Sequence, residues 1–560
     1  MQPLFRLAIS IFPSWLPVYD LLLVGAIVLS FGIARWFGGF DPVRVARTRF
    51  RWGIPWGTLS ISGFVLFVYL FVQNGITYPN APTVIPFRAW SYFSPTGIVM
   101  SPFTHANRGH VTGNIVGTLT VGVLAEYLWS HYPEKRTSNA STSLKRGFVP
   151  TLAHPSVRIL AFVVGSLVVG LLSGVFSLGP TIGFSGVVFA YAGFTLMRYP
   201  LGTVLVLLSG RVLSLVYQSI KNPTVTQAGQ PQFVTPWWAG ISLQGHALGL
   251  FIGALCGIYL VRRRSVRPNG LRLWSGVLIF AVFEGMWAMY IPLGGSQFKL
   301  FRAIGAAAVF LLAALLTIAV QSSNQPLFGR SRIQYKDAAL SLVAVLLVVI
   351  AAVAVPYNLF TVSDRSSGIT DQNSIQVRGY TIAYAEGIPN QYISDVEFNA
   401  LGETTNVKAS GVIVVNDQQE IWWQEISKDR LGFDHRVAVR VGGIGWRETV
   451  LASRTTWKVV GNHSVYTVQL EHDDERTHVF TSQPARAEPT IAGRNVTFVP
   501  GETFSFRVTR NGTVLGQADI PERDEAVSAG GLTLVRMKNR LYAMNNQTRV
   551  RIAKYVPPKK

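Results

Sequence analysis

Ten stretches of the chain are apolar over close to the ~20 residues that a helix needs to cross a ~30 Å hydrocarbon layer. They are residues 18–35, 55–73, 102–129, 157–178, 183–199, 200–219, 237–260, 273–293, 301–320 and 338–356. The pattern predicts an all-α polytopic membrane protein over the first two thirds of the chain. Tyr199-Pro200 divides the fifth span from the sixth, because proline cannot continue a helix from the preceding turn. Arg211 interrupts the sixth. No small-residue cleavage site follows the first span, so it is expected to be a retained helix and not a signal peptide.

Beyond residue 358 the long apolar runs stop and short alternating stretches begin, such as Gly411 to Val415 and Trp457 to Leu470. Period-two alternation is the strand pattern. Asn511-Gly512 between Phe504–Thr509 and Thr513–Leu515 predicts a tight hairpin, since such turns need positive φ. Residues 359–560 are therefore expected to form a β-rich, sandwich-like domain, with Pro557-Pro558-Lys559-Lys560 as a frayed tail.

Charge orients the spans. The chain is 49% hydrophobic and 14% charged, with a net charge of +22. This excludes a disordered polyelectrolyte and most ordinary soluble enzymes. Residues 1–360 hold 26 Lys and Arg against six acids, and the remainder 24 against 22, so the excess belongs to the apolar part. Its cations do not form the stripe that binds nucleic acid, and no nucleic-acid partner is expected. Nineteen lie in the loops 35–53, 131–158, the Arg198 turn, 262–272 and 321–336, and six on the alternate side. By the positive-inside rule, both the N-terminus and residues 359–560 face away from the cytoplasm. Four sequons, at Asn462, Asn495, Asn511 and Asn546, are compatible with that placement. Cys256 is the single cysteine, so no intramolecular disulfide can form.

Polar groups at membrane depth are costly and ask for an explanation. Three clusters stand out: His105-Ala-Asn-Arg-Gly-His110-Val-Thr-Gly-Asn114, Gly183-Phe-Ser185-Gly186, and Gln244-Gly245-His246. If the third and seventh spans enter near residues 102 and 237, Asn114 and His246 lie about 18 and about 14 Å along their helices. Ser185 heads a short span, so the three clusters can meet in one layer. A serine hydroxyl needs a base to become a nucleophile, and a neutral imidazole is the usual one. Ser185 and His246 can form that pair. His110 and Asn114 share a helix face and can both donate to a developing oxyanion. Gly245, Gly249, Gly253 and Gly257 form a small-residue stripe on the seventh span and the fifth offers Gly186, Ala190 and Gly193, so that close contact of the two helices would hold Ser185 against His246.

These residues resemble the rhomboid intramembrane serine proteases. The likeness covers roughly residues 55–260 and rests on His-x4-His-x3-Asn, Gly-x-Ser-Gly and His-x2-Gly-x3-Gly in the family's order. The resemblance implies Ser185 as nucleophile, His246 as general base and His110 and Asn114 as oxyanion donors. It further implies a structural or site-lining role for His105, with Gly183 and Phe189 also lining the site and Gly186, Gly249 and Gly253 packing the helices. Trp90, Tyr92 and Phe93 resemble the aromatic cluster of the family's laterally placed loop. Two positions depart from the pattern: Ser91 follows Trp90 where the family often has arginine, and Phe189 stands where a tyrosine commonly stacks on the imidazole. The implied reaction is hydrolysis of transmembrane protein substrates within the lipid bilayer, near the outer face and at small residues in helices that unwind easily. It needs no metal and no organic cofactor. The implied division is an extra span and basic loop (1–54), a protease core (55–265), three added spans (266–358) and the β-rich domain (359–560).

Blander readings compete. A lone Ser, His or Asn in a membrane helix is most often an interhelical hydrogen bond. The His472-Asp473-Asp474-Glu475 run reads as solvated surface and Trp422-Trp423 as strand packing. Glu126 is too far along its helix to reach His246. Glu284, read as mid-span, orients His246, pairs with Arg211 or Arg302, or is protonated as isolated buried carboxyls tend to be. Two further classes of function remain: an inactive scaffold that binds transmembrane segments with residues 359–560 as a docking module, and a transporter, for which no inverted repeat is visible.

Overall fold

A computed structural model describes residues 18–38, 42–130, 154–222, 233–294, 297–322, 334–362, 369–391, 407–546 and 548–557. The tail at 558–560 lies outside the described residues. Ten apolar helices occur among those described, one for each predicted span. They are α1 (Val18–Gly38), α2 (Trp56–Val72), α3 (Arg108–Trp129), α4 (Pro155–Val175), α5 (Ser185–Leu196), α6 (Pro200–Lys221), α7 (Leu243–Arg263), α8 (Gly270–Phe283), α9 (Arg302–Val320) and α10 (Tyr335–Asn358). Six of them (α3, α4, α6, α7, α9 and α10) are long and apolar enough to cross a membrane. The protein is a multi-pass membrane protein with a helical core.

Three boundaries differ from those read in the sequence. The third and seventh helices start about six residues later than expected. Asn107 accepts from the His110 amide and caps α3, and Trp237–Gly240 form a separate 3-10 turn before α7. Asn114 and His246 therefore sit about 9 and about 4.5 Å into their helices. The eighth apolar run leaves the helix at Phe283, after which Gly285 takes φ +71°. Its second half supplies β1 (Tyr290–Gly294), which pairs antiparallel with β2 (Gln297–Leu300). Glu284 is thus the C-cap of α8 and not a mid-span residue.

The helical core is built around the crossing of α5 on α7. Val187, Phe189, Tyr191, Ala192 and Leu196 of α5 are buried with Leu250, Phe251, Ala254 and Ile258 of α7. A Cβ at Gly249 would run into the Gly186 carbonyl, and one at Gly253 into the Ala190 carbonyl. Only a hydrogen at those positions lets the two backbones touch. Glu126 is committed to the start of α2. It accepts from the amides of Gly57 and Thr58 (3.0 and 2.8 Å) and from the Thr58 hydroxyl, occupying the donors that the start of α2 leaves unpaired.

Residues 369–557 are β-rich. A four-stranded sheet runs β3 (Ser374–Val377), β4 (Tyr380–Pro389), β5 (Lys408–Asn416) and β6 (Ile421–Ser427). The short helix α11 (Lys428–Asp434) follows it. The central strands are β7 (Arg436–Gly443), β8 (Trp446–Val459), β9 (His463–His472) and β10 (Glu475–Thr481). A second four-stranded sheet holds β11 (Ala485–Arg486), β12 (Asn495–Val499), β13 (Ser505–Arg510) and β14 (Thr513–Asp519). Last come β15 (Ala526–Ala529), β16 (Leu532–Met537), β17 (Arg540–Asn545) and β18 (Thr548–Val556). Strands β7–β10 and β15–β18 join into one eight-stranded sheet because β18 pairs with the far end of β8.

The β region holds two cores rather than one. Ile382, Val412 and Trp422 of the first small sheet are buried with Val441, Val450 and Val468 of the long sheet. Phe498 and Phe506 of the second small sheet are buried with Trp457, Leu534 and Leu541 at the other end. The Asn511-Gly512 hairpin forms as expected, with φ of 48° and 84° between β13 and β14. The stretch Trp457 to Leu470 is not one strand: Gly461 and Asn462, both at positive φ, turn the chain between β8 and β9.

Candidate functional site

The α5–α7 crossing sets Ser185, the first residue of α5, against the first turn of α7. Ser185 Oγ and His246 Nε2 are 2.9 Å apart. The Phe189 ring lies one turn below Ser185, stacked on the imidazole with centroids 4.0 Å apart and planes 13° apart. The imidazole is therefore fixed in plane by a ring and in direction by the hydroxyl. Among the described residues Nδ1 of His246 is buried without a hydrogen-bond partner, so no carboxylate there, Glu284 included, orients this ring. Arg211 instead lies over the neighbouring Phe283 ring at 4.0 Å.

The second cluster arrives from α3. Gly183 has φ +120°, and a Cβ there would stand 2.6 Å from His110 Nε2 and 3.5 Å from Asn114 Nδ2. Both nitrogens thus face the turn that leads into Ser185. The Asn114 amide nitrogen is buried and unpartnered. The Ala106 amide reaches His110 Nδ1 at 3.4 Å, which assigns the proton of a neutral ring to Nε2, the nitrogen facing Gly183.

His105 stands behind this layer. Its Nε2 accepts from the Phe184 amide at 3.5 Å and its ring packs edge-on to His110 at 5.0 Å. Gln73 fixes His105 by accepting from its amide (2.7 Å) while donating to its carbonyl (2.9 Å) and to that of Thr83 (2.8 Å). Gln73 was missed in the sequence, although an amide at the end of an apolar span was the available signal. Gln244 anchors the start of α7, donating to the carbonyls of Phe176 (2.5 Å) and Ile350 (3.0 Å) and accepting from the Leu178 amide (3.0 Å). A small open cleft reaches Ser185, lined by Ser101, Ser173, Thr181, Gly183, Ser242 and His246 among others.

Away from this crossing, Glu448, His472 and Asp473 bring ligand atoms within 4.8 Å of one another at the β9–β10 turn. Glu448 is already paired with Arg378 at 3.3 Å. That grouping is an ion-pair cluster at a hairpin.

The fold and the site together define a multi-pass helical membrane protein carrying a serine–histidine contact at a glycine-lined helix crossing. Comparison with family models matches residues 145–263 to the rhomboid domain, so this stretch of the chain is similar to the rhomboid family. The matched stretch contains Gly183, Ser185 and His246, whereas His105, His110 and Asn114 precede it. No curated protein and no solved structure matches the chain.

Proposed function

We propose that the protein is an intramembrane serine endopeptidase that cleaves transmembrane segments of membrane-anchored proteins through a Ser185–His246 dyad. The observation that carries this reading is the 2.9 Å contact between Ser185 Oγ and His246 Nε2, within the reach a general base needs. His246 Nε2 takes the hydroxyl proton as Oγ bonds to the scissile carbonyl carbon. The carbonyl oxygen becomes negative beside Asn114 Nδ2 and His110 Nε2, donors held in place without reorganisation. The C–N bond then breaks, the leaving amine takes the proton from His246, and an acyl-enzyme remains. Water repeats the sequence and releases the second product.

A helix's carbonyls are already bonded and shielded, so the substrates that suit this cleft are segments with small residues that unwind easily. In this reading residues 1–54 hold an extra span and a basic cytoplasmic loop, 55–265 the protease core, 266–358 three added spans, and 359–560 a domain on the outer face of the cell membrane. The intact set of Ser185, His246, His110 and Asn114 weighs against an inactive scaffold.

The test is cleavage of a transmembrane substrate in detergent, with fluorophosphonate labelling and peptide mapping. Ser185→Ala and His246→Ala are expected to abolish cleavage, and Asn114→Ala to lower turnover by roughly 10 to 1000-fold. Undiminished cleavage by Ser185→Ala ends the protease reading. An unlabelled Ser185 with partner binding retained in Ser185→Ala points instead to the scaffold.

A further inference from the structure

Nine residues, 176–184, connect α4 to Ser185. Three of them, Thr181, Ile182 and Gly183, line the cleft. Three carbonyls of the segment are gripped by residues outside it. Arg88 Nη1 donates to the Pro180 carbonyl at 3.0 Å, and the Ala89 amide to the Thr181 carbonyl at 3.2 Å. Asn358, at the end of α10, donates to the Ser177 carbonyl at 2.8 Å. The approach to the serine is therefore held by loop 83–92 on one side and by α10 on the other.

That loop is itself embedded in the β region. Ile85 and Trp90 are fully part of the first β core, Trp90 Nε1 donates back to the Ile85 carbonyl at 2.6 Å, and Ser91 Oγ donates to the Phe360 carbonyl at 2.5 Å. The Trp90 and Trp423 rings meet edge-on at 5.6 Å. The Arg88 guanidinium lies over the Trp423 ring at 5.3 Å, and Trp423 Nε1 donates to Glu425 at 3.0 Å. Glu425 in turn feels the charge of Arg88. One side chain thus bonds the serine approach and stacks on β6. A guanidinium can do both because it is planar and forked, whereas an ammonium offers neither the stacking face nor the fork.

We propose that Arg88 is a positioning residue through which the docked β region, by Trp423 and Glu425, holds the 176–184 segment and so keeps Gly183 and Ser185 in register with His246 and the oxyanion donors. The proposal rests on the protease reading for its catalytic consequence. The structural coupling stands apart from that reading and is measured separately.

The experiment uses the full-length protein. Arg88→Ala, Arg88→Lys, Trp423→Ala, Glu425→Gln and the double variant Arg88→Ala/Trp423→Ala are compared for hydrogen–deuterium exchange of residues 176–184, for the rate of fluorophosphonate labelling, and for kcat and KM. Faster exchange in 176–184 is expected in Arg88→Ala and in Trp423→Ala, with slower labelling and kcat lowered by about 10 to 100-fold, as misplacement of about 1 Å costs. KM stays near the parent value. Arg88→Lys is expected not to rescue, and the double variant to be no slower than Arg88→Ala. Parent-like exchange of 176–184 in Trp423→Ala overturns the coupling, as does full additivity in the double variant. If Arg88→Ala does not fold, the near-isosteric Glu425→Gln carries the same exchange test. A parent protein whose Ser185 does not label, while exchange still responds, retires the protease reading and leaves the coupling established.

Discussion

Gly183 occupies a narrow place beside His110 and Asn114. Its φ of +120° is open only to glycine at little cost, and any side chain there meets His110 Nε2. Gly183→Ala is expected to push the His110 ring off the turn, to cost about 1–3 kcal/mol of stability through backbone strain, and to slow fluorophosphonate labelling by about 10 to 100-fold. Labelling at the parental rate would show that the turn tolerates a methyl group and that His110 does not need its present place. Phe189 acts on the other member of the dyad. Its stacked ring holds the imidazole, and aromatic contacts of this kind contribute ~0.5–1.5 kcal/mol beyond burial. Phe189→Leu should therefore lower turnover by about 2 to 10-fold, read as kcat with KM constant.

Among elements, the α5–α7 pair decides whether the dyad exists. Gly249 and Gly253 bring backbone against backbone, so Gly253→Val forces the helices apart by more than a side chain can yield. The expected outcome is loss of labelling together with a destabilisation of about 1–3 kcal/mol, measured by thermal unfolding in detergent. This pairing was legible beforehand: four glycines at four-residue spacing on one span and Gly186, Ala190 and Gly193 on the other are a pattern that periodicity reads directly. Ser185, His246, His110 and Asn114 were legible for the same reason, since polar side chains in apolar runs have few places to go. What escaped was local termination. Asn107 capping, the 3-10 turn at Trp237–Gly240 and the positive φ of Gly285 each end or delay a helix within a stretch whose average hydropathy stays apolar. The β1–β2 hairpin was hidden in the eighth apolar run on that account. Arg88 escaped for another reason, because its partners lie on elements far away in sequence.

For the molecule as a whole, the β region is joined to the helices by loop 83–92 and carries a charged network of its own. Glu386 accepts from Lys428 (2.6 Å), from the Tyr384 hydroxyl (2.7 Å) and from the Tyr466 hydroxyl, and Arg454 lies over the Tyr466 ring at 3.5 Å. Burial pushes the Glu386 carboxyl up, but the bonds from Lys428, Tyr466 and Tyr384 outweigh it and hold the group below its usual range. A carboxylate whose folded pKa is depressed stabilises the fold above its unfolded value of about 4.3 and loses that contribution as pH falls through the folded value. Glu386→Gln is expected to cost about 1–3 kcal/mol at neutral pH and to approach parental stability in acid. Tryptophan fluorescence during thermal unfolding at a series of pH values measures it, and a difference that does not shrink below about pH 4 would contradict the assignment.

Ser91 and Phe360 touch across 269 residues of chain. A ribosome adding about 5–20 residues each second takes roughly 13 to 54 s to bridge that gap. For that interval the newly inserted loop carries Trp90 with no strand made to cover it, so the nascent chain passes through a stage in which serine and histidine already exist and their roof does not. A cell making this protein has a window of seconds in which that indole must be shielded by lipid or by a chaperone.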